Sequence, residues 1–266
     1  MNSFKHISQL RNVYITGNTC ILFGNGPSLM DIDLRSLVRY PIFASNAYGL
    51  LTSDKLPPPT FYCIADAGYH NELEYKNHEN FYKTLFATYP DTVLLASPEI
   101  IATAGKYIHI RKCYSIPTIR DKRLLDIGFN PNLLELDGMP GVQSVSQMMI
   151  MMAIYMGFSR LYLIGMDHNW LPHYSVSKGD APHFYLPKAD DNVHGVETLG
   201  IHQYLIKPRS QSPEQKHPTF YQELISHKVL WEGYYVLKSY ADNHNVEILN
   251  ATPGSLLDVF PRCSLP

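Results

Sequence analysis

The residues best suited to chemistry sit where an apolar run, Cys20-Ile21-Leu22-Phe23, gives way to Gly24-Asn25-Gly26-Pro27-Ser28 and a helix-like pattern begins. A turn of this kind at the end of a buried strand is where an open α/β sheet takes up a nucleotide, beyond the carboxyl ends of its strands. Gly24 and Gly26 would let the backbone approach a ligand closely. Pro27 suits the first turn of a helix, where its missing N–H costs nothing. Ser28, the free amides of that turn and the helix dipole favour an anion. The turn is neither G-x-G-x-x-G nor a P-loop, since no Gly-Lys-Ser/Thr follows. By itself it reads equally as an ordinary strand–helix connection.

Three further apolar runs end on polar residues: Asn46 after Ile42–Ser45, Asp66 after Phe61–Ala65, and Asp167 after Arg160–Met166. One such residue is commonly a cap or turn residue. Four at consecutive strand ends point to a cleft along one edge of a parallel sheet. Asn suits a base or a ribose, because its side chain both donates and accepts. Histidines crowd the next stretch: His168, His173, His183, His194, His202, His217, His227 and His244. Their spacing matches neither H-x-x-x-H nor H-E-x-x-H and no cysteine accompanies them, so no metal site is expected. A single histidine acting as general base is the better reading, since its pKa lies near working pH. Asp31-Ile32-Asp33 has the look of a metal-binding D-x-D, but acids in the first turns of a helix stabilise its dipole, and the structural role is preferred. Asp190-Asp191 reads as a solvated pair.

These residues need a frame to hold them. Strands are expected over 20–26, 42–46, 61–66, 92–96, 160–167 and 246–250, with short ones near 107–111; helices are expected over 28–39, 69–88, 143–157 and 219–244. Met148 to Met156 is almost wholly apolar, which marks a helix buried on most sides, and Gly157 ends it. Strand and helix alternate, so the fold class is α/β: a single Rossmann-like domain over 1–266, with a mostly parallel sheet and helices on both faces. Residues 168–218 hold no sustained period and read as an inserted lid. Thr252 to Leu257 reads as a second turn-to-helix junction.

The 266 residues carry a net charge of −2 and 45% apolar residues. No block of like charge is present, so neither nucleic acid nor a polybasic membrane anchor is expected as partner. No apolar leader opens the chain, and the longest apolar run is too short to span a bilayer. A cytoplasmic protein, at most peripheral to the inner membrane, is expected. Cys20, Cys63, Cys113 and Cys263 are widely spaced and read as reduced thiols.

Taken in order, Phe23 to Leu29, Phe43-Ala44-Ser45-Asn46, Ser144-Val145-Ser146 with its apolar helix, Ile164-Gly165-Met166-Asp167 and Ala251 to Leu257 resemble the bacterial sialyltransferases of glycosyltransferase family 42. They also resemble the related MptE-like domains of flagellin-modifying proteins and of an archaeal 6-hydroxymethylpterin diphosphokinase. The resemblance implies a GT-A-like variant of the Rossmann fold. It implies an inverting, metal-independent glycosyltransferase moving a nonulosonic acid or Kdo from a CMP-activated donor to a lipopolysaccharide or capsule glycan. The donor is then a substrate and no separate cofactor is required. Partners would be the nucleotide-sugar, an oligosaccharide acceptor and, in related proteins, further copies of the chain.

Carried over position by position, the resemblance puts Asn25 and Ser28, with Gly26 and Pro27 between them, at the donor's phosphate and ribose. Asn46 and Asp66 line the same site. Ser144, Val145 and Ser146 face the donor sugar where the family has Thr-Ser-Gly. Gly165, Met166 and Asp167 hold the ribose or base. Tyr174 falls near one phosphate-binding tyrosine, and Asn169 or Trp170 takes the place of the other. His227 falls within one residue of the family's general base. The family's arginine before Thr-Ser-Gly is Val142 here. Two alternatives stand beside this reading: an MptE-like diphosphokinase using ATP and Mg²⁺, and a catalytically silent sugar-nucleotide-binding module.

Overall fold

The computed structural model describes residues 6–14, 18–50, 56–70, 78–169 and 220–266. In chain order the strands are β1 (Thr19–Phe23), β2 (Ile42–Ser45), β3 (Phe61–Ile64), β4 (Val93–Ala96), β5 (Cys113–Ser115), β6 (Thr118–Arg123), β7 (Met139–Gly141), β8 (Arg160–Ile164) and β9 (Glu247–Asn250). The helices are α1 (His78–Thr88), α2 (Pro98–Gly105), α3 (Leu124–Ile127), α4 (Pro131–Leu136), α5 (Val145–Tyr155) and α6 (Phe220–Asn243).

Seven strands pair in the order β5-β4-β3-β2-β1-β8-β9, and every pairing is parallel. Strands β6 and β7 form a separate two-stranded ladder. The order explains the composition of the strands. Side chains alternate across a strand, and here both faces are covered: Cys20 and Leu22 join the core beneath α5 and α6, whereas Ile21 and Phe23 join the core beneath α1 and α2. A strand buried on both sides must be apolar throughout. The chain runs outward from β1 to β5, then crosses back to place β8 on the other side of β1. The β1/β8 junction is therefore the switch point of the sheet, where ligands of such folds bind.

Helix α5 is buried from Ser146 to Tyr155 on all sides, as its uninterrupted apolar sequence requires. It begins at Ser144, whose hydroxyl accepts the Ser146 amide. Its partner α6 comes close because residue 233 is glycine: a Cβ there would stand 2.2 Å from Gln147 Nε2. Gln147 in turn donates to the Leu230 carbonyl at 2.9 Å, which bolts the two helices together.

Several expected elements differ. Residues 28–39 form two separate 3-10 turns, Pro27–Asp31 and Arg35–Arg39, not one α-helix. Between them the Asp33 carboxylate accepts the Arg35 amide at 3.1 Å and its guanidinium at 2.9 Å. This local bond competes with a helical ladder. The strand expected near 107–111 is a turn, and the edge strand β5 follows it. Thr252 to Leu257 makes a turn with Gly254 at φ +63° and no helix after it. In the 69–88 segment α1 runs from His78, preceded by a 3-10 turn at Ala67–Tyr69. The insert expected over 168–218 lies outside the described residues except for His168 and Asn169.

The backbones of β1 and β8 come very close at the tip of β1, where a Cβ on Gly24 would stand 2.2 Å from the Gly165 carbonyl oxygen. Gly24→Ala is expected to destabilise the fold by about 3 kcal/mol through overpacking. Gly105→Ala, whose Cβ would meet nothing within 4 Å, should stay within about 1 kcal/mol of wild type. Urea unfolding of both variants measures the difference, and equal losses would refute the close-approach explanation.

Candidate functional site: a polar cleft at the strand tips

Beyond the carboxyl ends of β1, β2 and β8 lies a cleft. Its walls are Gly24, Asn25, Gly26, Ser45, Asn46, Ser144, Val145, Ser146, Met149, Gly165, Met166, Asp167 and His168. Three strand tips and the N-terminus of α5 thus converge on one concavity, and none of these residues is a lysine or arginine.

The Gly-Asn-Gly-Pro-Ser turn is itself filled from within the protein. Ser28 donates its amide to Asp167 Oδ1 at 3.1 Å and its hydroxyl to Asp167 Oδ2 at 2.7 Å. Gly26 is glycine because a Cβ would stand 1.7 Å from Asp167 Oδ2. Gly24 and Gly26 line the cleft, and their lack of a side chain also serves contacts within the protein. They admit the backbone of Gly165 and the side chain of Asp167. Burial pushes the Asp167 carboxyl above its ordinary pKa; the Ser28 hydroxyl and amide pull it down, and the charge of Asp31 pushes it up again.

The cleft floor holds polar atoms in search of partners. Asn25 is buried, and its Nδ2 donates to the Ser45 carbonyl at 3.1 Å. A carbonyl only accepts, so Asn25 Oδ1 is the atom left over, and it has no partner among the described residues. Asn46 Oδ1 and Ser45 Oγ are likewise buried and unpartnered there. Asn46 stands at φ +50°, a left-handed conformation that Asn tolerates better than most residues. Buried polar atoms without partners are uncommon in native proteins, and each of these is free to take a bond from water or a ligand.

On the far wall four side chains form one hydrogen-bonded chain. Ser144 Oγ lies 2.6 Å from Ser146 Oγ, which lies 2.8 Å from Tyr234 Oη, which lies 2.7 Å from His168 Nε2. Tyr234 is fully buried, and burial holds its hydroxyl protonated. His168 is 5% exposed; burial first, and the neighbouring His227 second, pull its pKa down to about 3. His227 is half-buried on α6, its ring 6.4 Å from that of Trp231, which packs edge-on against His168 at 5.5 Å.

No protein-family model matches the sequence, and no curated protein matches it. Solved structures do match. The monofunctional α-2,3-sialyltransferase Cst-I from Campylobacter jejuni aligns over 92% of this chain and 80% of its own, at 17% identity and a TM-score of 0.50. The sialyltransferase CstII from Campylobacter jejuni, solved with the substrate analogue cytidine 5′-monophosphate, aligns over 93% and 85%, at 13% identity and 0.50. The MAf glycosyltransferase from Magnetospirillum magneticum AMB-1 aligns over 96% of this chain but 34% of its own, at 13% identity and 0.52. The chain has the sialyltransferase fold. What the likeness covers is the α/β fold of this chain, its parallel seven-stranded sheet with flanking helices.

Within that fold the structure gathers Asn25, Gly26, Asn46, Ser144, Val145, Ser146, Gly165, Met166 and Asp167 around the cleft. Ser28 sits one layer behind, bonded to Asp167, and Pro27 opens the 3-10 turn. Asp66 stands apart from the lining: exposed, it accepts the Gly68 amide at 2.8 Å as a turn cap. His227 lies beside His168, outside the lining. Tyr174 and Trp170 are outside the described residues. Val142 is half-buried and packs against the core. Asp33 is engaged with Arg35 at the surface. Among the described residues no three His, Cys, Asp or Glu side chains gather as a metal site. The sequence names Ser45 and His168 without giving either a place in the site, and it does not single out Tyr234. His168 directly follows a strand-tip carboxylate, which is a usable signal; Tyr234 lies within a long helix and carries none.

His168 makes stability depend on pH. Its folded pKa, about 3, lies below the unfolded value of about 6.5. The unfolded chain therefore binds the extra proton, and the contribution is full above pH 6.5 and lost as pH falls toward 3. Unfolding free energy should drop by up to about 1.4 kcal/mol per pH unit in that window, and His168→Gln should flatten the slope between pH 6.5 and 5. An unchanged slope in the variant would remove His168 as its source.

Proposed function

We propose that the protein is a glycosyltransferase that moves a sialic-acid-like sugar, a nonulosonic acid or Kdo, from a CMP-activated donor to an oligosaccharide acceptor, without a metal ion. The observation that carries this is the set of orphaned buried atoms, Asn25 Oδ1, Asn46 Oδ1 and Ser45 Oγ, at the switch point of a fold shared with sialyltransferases. CstII, which has that fold, binds CMP. The acceptor we assign is a bacterial surface glycan, and the place of reaction the cytoplasmic side of the inner membrane. No helix among the described residues is long and apolar enough to cross a membrane.

The chemistry assigned to the chain's own residues is simple. Asn25 and Asn46 accept hydrogen bonds from hydroxyl or amino groups of the donor, which holds the nucleoside against the strand tips. Ser144 and Ser146, at the N-terminus of α5, face the sugar. His227 accepts the proton of the attacking acceptor hydroxyl at a ring nitrogen, and the hydroxyl oxygen displaces CMP with inversion. A monophosphate leaves with less charge than a diphosphate, and Tyr174 is assigned to hydrogen-bond it.

The test is to incubate the protein with CMP-sialic acid, CMP-Kdo and related donors and to follow CMP release. Transfer is expected to survive EDTA. His227→Ala should lower transfer by about two to four orders of magnitude while CMP binding persists. No binding of any CMP species would refute the proposal, and preferential binding of ATP with Mg²⁺ would favour the diphosphokinase. Binding across the donor panel without turnover would favour a silent binding module.

A further inference from the structure

The backbone that carries Asn46 to the cleft is held from within the core. Asn46 is the first residue of a 3-10 turn, Asn46–Leu50, that follows β2. It stands at φ +50°, a conformation that a residue with a Cβ keeps where its surroundings impose it. Tyr62, on β3, supplies such a restraint. Its hydroxyl donates to the Asn46 carbonyl and accepts the Gly49 amide at 2.9 Å. A carbonyl only accepts and an N–H only donates, so the hydroxyl ties the first residue of the turn to the fourth. The sheet fixes where this side chain starts: Tyr62 pairs with Ala44, two residues before Asn46. Residue 49 is glycine where the contact is made, since a Cβ there would stand 2.3 Å from Leu85 Cδ1 and 3.2 Å from the Tyr62 hydroxyl. Tyr62 is fully buried in the core beneath α1 and α2 and lies outside the lining of the cleft, which Asn46 joins. The same turn has a second tie, from the Tyr48 hydroxyl to the Pro57 carbonyl at 2.7 Å; of the two, Tyr62 is the one that grips Asn46.

We infer that Tyr62 is a positioning residue of the cleft: by clamping the Asn46 carbonyl to the Gly49 amide it keeps Asn46 left-handed and fixes where the Asn46 side chain meets the donor. A residue that leaves the left-handed region swings its Cα–Cβ bond relative to the chain on either side. The short Asn side chain follows that swing. Asn46 Oδ1 is buried with no partner among the described residues, and a hydrogen bond tolerates only a narrow range of distance and angle. The backbone of Asn46 therefore decides whether a donor group on the ligand meets that oxygen or misses it. For its effect on affinity the inference rests on the proposed donor binding; the clamp itself does not depend on that proposal.

The experiment reads the clamp first, in the full-length protein labelled with ¹³C and ¹⁵N. In wild type a through-space signal is expected between the Tyr62 ring and the Gly49 amide proton, with Asn46 Cα and Cβ shifts of a left-handed residue. Absence of either overturns the inference, and these readings stand even where Tyr62→Phe does not fold. Tyr62→Phe removes only the hydroxyl; it should move the Asn46 shifts and speed exchange of the Gly49 amide. Tyr82→Phe removes another buried hydroxyl, which donates to the Tyr69 carbonyl at 2.8 Å, and should change neither. Asn46 shifts that stay in place in folded Tyr62→Phe overturn the inference whatever the protein transfers. Calorimetry with CMP as probe then reads the consequence. Tyr62→Phe should weaken CMP by about 5- to 10-fold, the effect of one hydrogen bond, and Tyr82→Phe by less than about 2-fold. Asn46→Gly removes the side chain while the backbone stays left-handed without strain. Adding Tyr62→Phe to it should cost less than about 2-fold more, because both act through one contact. Losses that multiply, or equal weakening by Tyr62→Phe and Tyr82→Phe, refute a role through Asn46. If wild type binds no CMP, the transfer proposal fails, and the Asn46 shifts still decide whether Tyr62 holds that residue.

Discussion

The bond between Asp167 and the Ser28 turn is what the cleft is built on. A carboxylate at the tip of β8 reaches across the switch point and takes both the amide and the hydroxyl of Ser28 beyond β1. Both partners are buried, so neither can exchange the other for water without a large penalty. The backbones must come very close for this bond to form, and the two glycines of the β1 turn are the residues that allow it. The turn's geometry therefore serves the protein's own carboxylate first. A ligand meets a surface in which Asp167 already satisfies the anion-favouring end of the turn.

From that tie the rest of the site follows. With β1 and β8 locked, the Asn25 amide turns its Nδ2 onto the Ser45 carbonyl of β2, and Oδ1 is left buried without a partner among the described residues. The other wall depends on a second close approach, α5 against α6, which Gly233 permits and the Gln147–Leu230 bond secures. That approach brings Tyr234 within reach of Ser146 and His168. A polar network in a dry place must be fully bonded, and each link here has its partner. The result is a cleft with asparagine and serine oxygens on its floor and a bonded row of hydroxyls on its wall.

Much of the frame was legible in the residues. The apolar strands announce themselves because a parallel sheet covered on both faces leaves no polar positions within them. Their ends announce themselves because the first residue past the core can be polar, which is why Asn25, Asn46 and Asp167 stood out. Elements held by local competition were not legible. The helix expected over 28–39 is interrupted because the Asp33 carboxylate captures the Arg35 amide, and apolar spacing alone does not register such a bond. Asp66 has the same sequence signature as Asn25 and Asn46 yet serves as a turn cap, since a strand-tip position does not reveal which way a side chain turns.

The sequence by itself determined the α/β class, the succession of strands and the side of the sheet where polar residues would gather, because these follow from periodicity and from the ends of apolar runs. Only the tertiary structure decided what each polar atom does. Ser28 and Asp167 are 139 residues apart, and His168 and Tyr234 are 66 apart. No spacing rule relates residues brought together by a crossover connection and a helix–helix contact. The bonding of the site arises from those long-range contacts, because only the folded chain brings each polar atom to its partner.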